Sequence, residues 1–546
     1  MARNGGERMT GGAALVKSIL QYGIDTMFGI PGVQLDCFYN ALYDEGNAIR
    51  MIHSRHEQGA AYLALGYAMA SGRPAVYAVV PGPGFLNASG ALCTAYACNA
   101  PVLCMTGQTP SDLIGRGAGA HHEIPDQLGT MRSLTKWAGR AAHPAEAPLT
   151  VERAFVEMLS GRQRPTAVEM APDVMAQEAT VTLRPPAAPE PAPEPDPDAV
   201  AAAAKLLGAA KRPLIMVGGG AMDAGEELLA VAELLQAPVC MSRDGKGIVT
   251  SRHALALTES EGHRLWGDAD VVLAVGTRLF DQYRSWGVDR TLKIVRIDID
   301  AAEITRHGKP AVSILADAAG GLAALAEALP AHLGRVASRE AEMAALKATM
   351  QAEYRKLQPQ MGFIDVLREE LPDDGIVVSE STQLAYMARI AMPFYGPRQF
   401  IGPGYQGTLG FGFPTSLGCK VAKPDTQVVS ITGDGGFLFG GNEMATAVQH
   451  GIGSVTIVVN DGAYGNVRRS QLHKYGGKVI GTDLRNPDFV KYAESFGAQG
   501  LRATDDKSLR TALREAFAHA GPSLIEIPVG ELPSPWHLMH LKRVRG

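Results

Sequence analysis

Short apolar runs rich in Val, Ile and Ala recur along this chain, and each is followed by a segment long enough for a helix. A run that is apolar at every position, instead of at alternate ones, marks a strand buried on both faces of a parallel sheet. The pattern predicts strands at 74–80 and 101–107, at 213–220, 270–276 and 293–300, and at 375–381, 427–435 and 454–461. A shorter apolar strand before His56 leads into a helix with Ala61, Leu65, Ala68 and Met69 on one face. Two seams divide the pattern. "RPPAAPEPAPEPDPDA" (184–199) is too dense in proline for helix or sheet pairing and reads as an extended linker. "SREAEMAALKATMQAEYRKL" (338–357) reads as a connecting helix. The expected organisation is α/β, with three doubly wound parallel-sheet domains at 1–183, 200–330 and 358–546. Ligands of such sheets gather beyond the carboxyl ends of the strands.

Composition narrows the partners. A chain of 546 residues, 46% hydrophobic and 20% charged, has ample material for several cores. Its net charge of -5, with no sustained Lys/Arg run, argues against nucleic acid or an anionic membrane and for a small molecule. The N-terminus lacks a secretory apolar segment, and no apolar run is long enough to span a bilayer. The 6 cysteines form no CxxC pair, so they read as reduced thiols and the expected location is the cytoplasm.

Candidate chemistry sits at the strand ends. Asp434 follows "QVVSIT" and Asp461 ends "SVTIVV", so both carboxylates project from the carboxyl edge of one sheet. Gly433, Gly435 and Gly436 let backbone N–H groups approach a phosphate closely. Two carboxylates beside a phosphate repel unless a hard cation such as Mg²⁺ lies between them. Ordinary glycine-turn acids are the alternative. Glu57, near a helix start, is either a first-turn acid facing the helix dipole or a functional carboxyl. Neither Gly218–Gly220 nor the 433–436 cluster fits GxGxxG, which disfavours a dinucleotide such as NAD.

The ordered motifs "FGIPG" (28–32), "RHEQGAAYLALGYAMASG" (55–72), "VVPGPGFLNASGAL" (79–92), "VLCMTGQTP" (102–110), "GTLGFGFPTSLG" (407–418), "GDGGF" (433–437) and "VVNDGAYGNVRRSQ" (458–471) resemble the thiamine diphosphate enzymes of the acetohydroxyacid synthase and 2-oxo acid decarboxylase superfamily. The resemblance spans nearly the whole chain and makes the three domains pyrimidine-binding, middle and diphosphate-binding. It implies that Glu57 hydrogen-bonds the cofactor's aminopyrimidine ring and promotes its tautomerisation, with Pro31 and Asn87 also in the cofactor site. It implies that the Gly407 carbonyl accepts from the exocyclic amine and that Leu409 wedges the cofactor into a bent shape. Asp434, Asp461 and the carbonyl of Ala463 become Mg²⁺ ligands, although many relatives carry asparagine where Asp461 stands. Ser381 and Thr382, with backbone at Gly433, Gly435, Gly436, Tyr464 and Gly465, complete a diphosphate cradle; a plain strand-end turn is the alternative for Ser381 and Thr382. A homodimer or homotetramer, with the site between subunits, is implied as well.

Three departures bear on the reaction. "GRGAGAHHEIPDQLG" (115–129) carries His121–His122 where the synthases have Phe-Gln; paired histidines here are similar to pyruvate decarboxylases and can shuttle protons, or are surface groups on a solvated loop. Ser470 replaces the tryptophan by which the synthases recognise a second 2-oxo acid. The middle block lacks the methionine-histidine-glycine element of FAD-binding synthases, so FAD is not expected, and Arg278 of "GTRLFDQYRSWG" is expected to pair with Asp281. "SPWHLMHLKRVRG" (534–546) is a lid or a frayed end. The expected function is a thiamine diphosphate- and Mg²⁺-dependent carboligase or lyase of acetolactate synthase type, acting on 2-oxo acids or aldehydes. The alternatives are a non-oxidative 2-oxo acid decarboxylase, an acyloin lyase, a flavin oxidase, or a cofactor-binding homologue without turnover.

Overall fold

The computed structural model describes residues 6–546. It contains three six-stranded parallel sheets flanked by helices, and a small antiparallel pair, Glu7–Thr10 with Glu178–Val181, that closes the first unit. The N-terminal sheet runs Arg50–His53, Thr26–Gly29, Ala75–Val79, Val102–Thr106, Thr166–Met170, Trp137–Ala141. The C-terminal sheet runs Phe400–Ile401, Ile376–Ser379, Val428–Gly433, Val455–Asn460, Ser523–Pro528, Gln499–Arg502. Ranked by chain order, both read 2-1-3-4-6-5, so the outer units repeat one topology, whereas the middle sheet reads 3-2-1-4-5-6. In the outer units the connections diverge between strands 1 and 3, which opens a crevice at that switch point.

The strands form where the apolar runs predicted them, because each central strand is buried on both faces: Val455, Ile457, Val458 and Val459 are all nearly inaccessible. Residues 182–196 carry neither helix nor strand, and the helix Pro197–Gly208 follows. The helix Glu340–Tyr354 joins two cores: Met343 packs into the middle domain, and Met350 and Tyr354 pack into the C-terminal one.

Three helices position the site: α1 (Glu57–Ser71), α2 (Pro83–Cys98) and α3 (Gly412–Ala422). Instead of one apolar face, α1 buries Ala60, Ala61, Tyr62, Leu63, Ala64 and Leu65 on every side. The reason is that α3 of the C-terminal unit lies across it, and residues of both sheets share one core. The crossing is at backbone distance. A Cβ on Gly66 would lie 2.0 Å from the Thr415 carbonyl oxygen, one on Gly418 would lie 1.9 Å from that of Leu63, and the Cys419 thiol donates to the Gly66 carbonyl at 3.4 Å.

Two expectations change. Arg278 does not pair with Asp281; it donates to the Ala97 carbonyl at 3.1 Å and lies over the Tyr405 ring, while Asp281 sits near Glu259 and Arg389. The C-terminal segment is not frayed. Trp536 packs near Tyr386, Ser260 donates to the Leu538 carbonyl, and Arg545 donates to the carbonyls of Gly267 and Ala269, so the tail docks along the middle domain.

Gly66→Ala or Gly418→Ala forces the α1–α3 crossing apart and should lower stability by about 1–3 kcal/mol, read as a drop in melting temperature by calorimetry. Gly320→Ala, on the solvent side of the helix Ala318–Ala328 with open space around its Cβ position, should be neutral or stabilising by up to about 1 kcal/mol.

Candidate functional site

The first group of side chains gathers at the switch point of the N-terminal sheet. Glu57 opens α1, and the Nδ1 of His56 just ahead accepts from the backbone N–H of Gln58 at 3.1 Å. Asn87 on α2 donates to the Glu57 carboxylate at 3.0 Å, so the two helices aim one acid. Glu57 is half-buried. The turns after strands 1 and 3 bring Pro31 and Gly82 to the same edge, with Pro31 exposed. Gly82 has φ +57 and leaves only 2.2 Å between its Cβ position and the His122 carbonyl, so the loop carrying the histidines closes on it as it could on no other residue.

That loop is largely exposed but internally hydrogen-bonded. The Glu123 carboxylate accepts from the N–H groups of Gly117, Ala118 and Ala120. The rings of His121 and His122 stack with centroids 3.8 Å apart. Burial, followed by the neighbouring His121, holds His122 below the ordinary imidazole value, against the pull of the Glu57 charge.

The second group lies at the switch point of the C-terminal sheet. Asp434 follows strand 3 and is 2% exposed, and burial raises its pKa against the opposing donation from Asn486 at 2.5 Å. Asp461 follows strand 4. Its carboxylate accepts from the Ala463 N–H at 3.2 Å and occupies the space where a Cβ on Gly465 would sit, 2.2 Å away. The surrounding protein desolvates this carboxyl, though much of the residue is open to solvent. Together with the Asp434 charge, within hydrogen-bonding range, that raises its pKa to about 6. Among the described residues nothing donates to the Ala463 carbonyl. Two crowded carboxylates and a free carbonyl are oxygen donors of the kind that could hold a hard divalent cation, which would relieve the repulsion. Tyr464 packs its ring against Gly435, and Gly465 opens the helix Gly465–Lys474. Ser381 is half-buried; Thr382 caps the helix Gln383–Ala391, its oxygen accepting from the Ala385 N–H at 3.1 Å. Gly433 lies against the Thr382 methyl.

Gly407 and Leu409 sit on the turn leading into α3. Gly407 has φ +59 and open space at its Cβ position, and Leu409 is 39% exposed. The Thr408 hydroxyl lies 2.7 Å from that of Tyr62 on α1, which ties this turn to the first group. Among the described residues, no hydrogen bond or ion pair joins Glu57, His121 or His122 to Asp434 or Asp461.

Several positioning residues escaped the sequence reading. Glu380, 4% exposed, accepts from the N–H groups of Gly410 and Gly412 and from the Thr432 hydroxyl, and fills the Cβ position of Gly436. It therefore joins the Leu409 turn to the glycine turn. Glu443, fully buried, reaches from the C-terminal unit to accept from the N–H groups of Arg55 and His56, directly ahead of Glu57. Their only sequence signal is an acid inside an otherwise apolar or small-residue stretch. Asn486, which holds Asp434, and Gln34, beside the histidines, carried none.

A cavity of about 130 Å³ lies elsewhere, between the middle domain and the helix Gln383–Ala391. Its Lys246 is satisfied by the carbonyls of Ala388, Arg389 and Met392, so it reads as a helix cap inside an interdomain seam.

Three family models match the chain: thiamine pyrophosphate enzyme, N-terminal TPP binding domain, at 9–130; central domain at 200–325; and C-terminal TPP binding domain at 381–527. A probable 2-ketoarginine decarboxylase of Pseudomonas aeruginosa is 34% identical over 95% of this chain and 94% of its own length. A probable acetolactate synthase large subunit of Methanocaldococcus jannaschii is 34% identical over 95% and 92%. An acetolactate synthase isozyme 1 large subunit of Escherichia coli is 30% identical over 96% and 94%.

Asp434→Ala should abolish Mg²⁺-dependent binding of thiamine diphosphate while the fold persists. Calorimetric titration with and without EDTA checks this; undiminished binding would remove Asp434 from the metal site.

Proposed function

We propose, on the premise that this chain belongs to the thiamine pyrophosphate enzyme family, that it cleaves the bond between the two carbonyl carbons of a 2-oxo acid and releases CO₂ and an aldehyde. The observation that carries this reading is the stacked histidine pair, with His122 hydrogen-bonded to Gln34 and within the field of the Glu57 charge. Bound thiamine diphosphate supplies the carbon nucleophile and the electron sink that such a cleavage needs. In this reading Glu57, oriented by Asn87, holds a proton against the pyrimidine ring. Asp434, Asp461 and the Ala463 carbonyl hold Mg²⁺ beside the diphosphate, with Ser381, Thr382, Gly433, Gly435, Gly436, Tyr464 and Gly465 around it. Gly407 and Leu409 set the ring's pose. His121 and His122 deliver a proton to the carbon that loses CO₂ and regain one from solvent, so that R–CO–COO⁻ and H⁺ become R–CHO and CO₂.

The second reading, joining to an acceptor as the names of several relatives suggest, rests on those relatives, with Ser470 in place of the synthases' tryptophan pointing to a larger or different acceptor. This small residue is half-exposed on the helix Gly465–Lys474 and leaves room for an acceptor.

The two groups of side chains are open in a single chain, and apolar Val33, Leu86, Tyr405, Leu409, Leu438 and Phe439 are exposed on the segments that carry them. Such exposure favours a homodimer or homotetramer in which a second copy covers these segments. All six cysteines are free thiols, which suits the cytoplasm.

The test is reconstitution with thiamine diphosphate and Mg²⁺, a panel of 2-oxo acids with and without aldehydes, and product identification by mass with CO₂ release. Aldehyde as the main product supports decarboxylation, acetolactate from pyruvate supports the second reading, and no turnover of any 2-oxo acid rejects both. Glu57→Gln should lower turnover about 10²- to 10⁴-fold with cofactor binding largely retained; unchanged turnover would reject the role given to Glu57.

A further inference from the structure

Gln34 lies in the single-turn helix Val33–Leu35, just past Pro31, and is 5% exposed. A buried amide is costly unless its polar atoms are partnered. Both are, and both partners are on the histidine loop: Nε2 donates to the His121 backbone carbonyl at 3.1 Å, and Oε1 lies 3.2 Å from His122 Nδ1.

The chemistry of these partners fixes the proton. A backbone carbonyl can only accept, so the Gln34 amine must face His121, and the amide cannot be turned end for end without losing that bond. The oxygen then faces His122, and an amide oxygen also only accepts. Nδ1 of His122 must therefore carry a hydrogen, which leaves the lone pair of the neutral ring on Nε2. We propose that Gln34 is a positioning residue that holds His122 as its Nδ1–H tautomer, making Nε2 the atom through which this ring takes up and gives back a proton. The assignment rests on the reading of a 2-oxo acid lyase only for what the proton is used for.

The surrounding geometry keeps the ring from escaping this role. His122 is held at φ +63 by the closure of its loop on Gly82, and one face of its ring is covered by His121. The titratable groups that reach it are His121 on its own loop and Glu57 on α1. Burial and His121 favour the neutral ring, so that Nε2 is an acceptor near neutral pH, while Glu57 keeps protonation within reach.

The test uses the full chain without cofactor or substrate, labelled with ¹⁵N in the histidine rings. The His122 signals are identified by their loss in His122→Phe. Long-range ¹H–¹⁵N correlations are expected to show the Nδ1–H tautomer; an Nε2–H tautomer would overturn the proposal outright. Gln34→Leu should mix the tautomers and lower kcat of the reconstituted enzyme about 10-fold or more with little change in KM. Gln34→Glu keeps the acceptor and adds a negative charge, so it should retain Nδ1–H and raise the His122 pKa by about one unit or more. It should also move the alkaline limb of the pH–rate profile, where the proton-donating form is lost, upward by the same amount. A tautomer and pKa unchanged in both variants would sink the role of Gln34. Should Gln34→Leu not fold, the wild-type spectrum and Gln34→Glu still decide. The tautomer measurement needs no substrate, so a chain that shows it but turns over no 2-oxo acid refutes the proposed reaction and leaves this assignment standing.

Discussion

The backbone contact between α1 and α3 is the constraint from which the site takes its dimensions. Neither helix could approach the other so closely with a side chain at Gly66 or Gly418, where the opposing carbonyl oxygens lie 2.0 and 1.9 Å from the Cβ positions. Each helix also begins at the site: α1 at Glu57, and α3 directly after the turn that carries Gly407 and Leu409. At 1.5 Å per residue the crossing lies about 14 Å along α1 from Glu57 and about 9 Å along α3 from Gly412. Rigid helices pinned at one point hold their ends at a set separation, so two turns far apart in sequence are placed by packing that lies well away from either.

Two buried acids carry that placement from helices into loops. Glu380 and Glu443 sit in low-dielectric surroundings that raise the pKa of each, and each is compensated by two backbone N–H groups and a threonine hydroxyl. A carboxylate with three donors is costly to leave unpaired, so the donor segments are drawn to it. Glu380 draws together the Leu409 turn and the Gly436 turn of one unit. Glu443 does the same across units, holding the backbone ahead of Glu57 from the C-terminal side. Each fills the space of an absent side chain, at Gly436 and Gly59. The glycines near the site thus admit a buried carboxylate as much as they free the backbone.

Much of the fold was legible because its strands are apolar throughout and its helices have punctuated ends. The strands at 427–435 and 454–461 were predicted from their valines and isoleucines, and the structure pairs Val428–Gly433 with Val455–Asn460 in parallel. What periodicity could not show was the partner. The apolar face expected on α1 became burial on all sides, since no local pattern announces a helix from a domain some 350 residues later (Gly412 against Glu57). The same limit hid Glu443, whose acceptor role exists only once both domains are in place. The proline seam and Arg278 show the contrast: a stretch that cannot pair is readable locally, whereas the preference of a guanidinium for the Ala97 carbonyl over Asp281 depends on which loop arrives beside it.

The two halves of the site solve opposite electrostatic problems. At the C-terminal sheet, burial and then the neighbouring Asp434 charge raise the Asp461 pKa to about 6. In the proposed site a divalent cation between the two carboxylates would offset that repulsion. At the N-terminal sheet no such strain is present. His122 is held below the ordinary imidazole value by burial and by His121, and its hydrogen is assigned by an amide that can face only one way. One half thus crowds negative charge that a cation would balance, and the other is held by hydrogen bonds within the chain. That division suits a site in which charge must be held at the phosphate end and moved one proton at a time at the other.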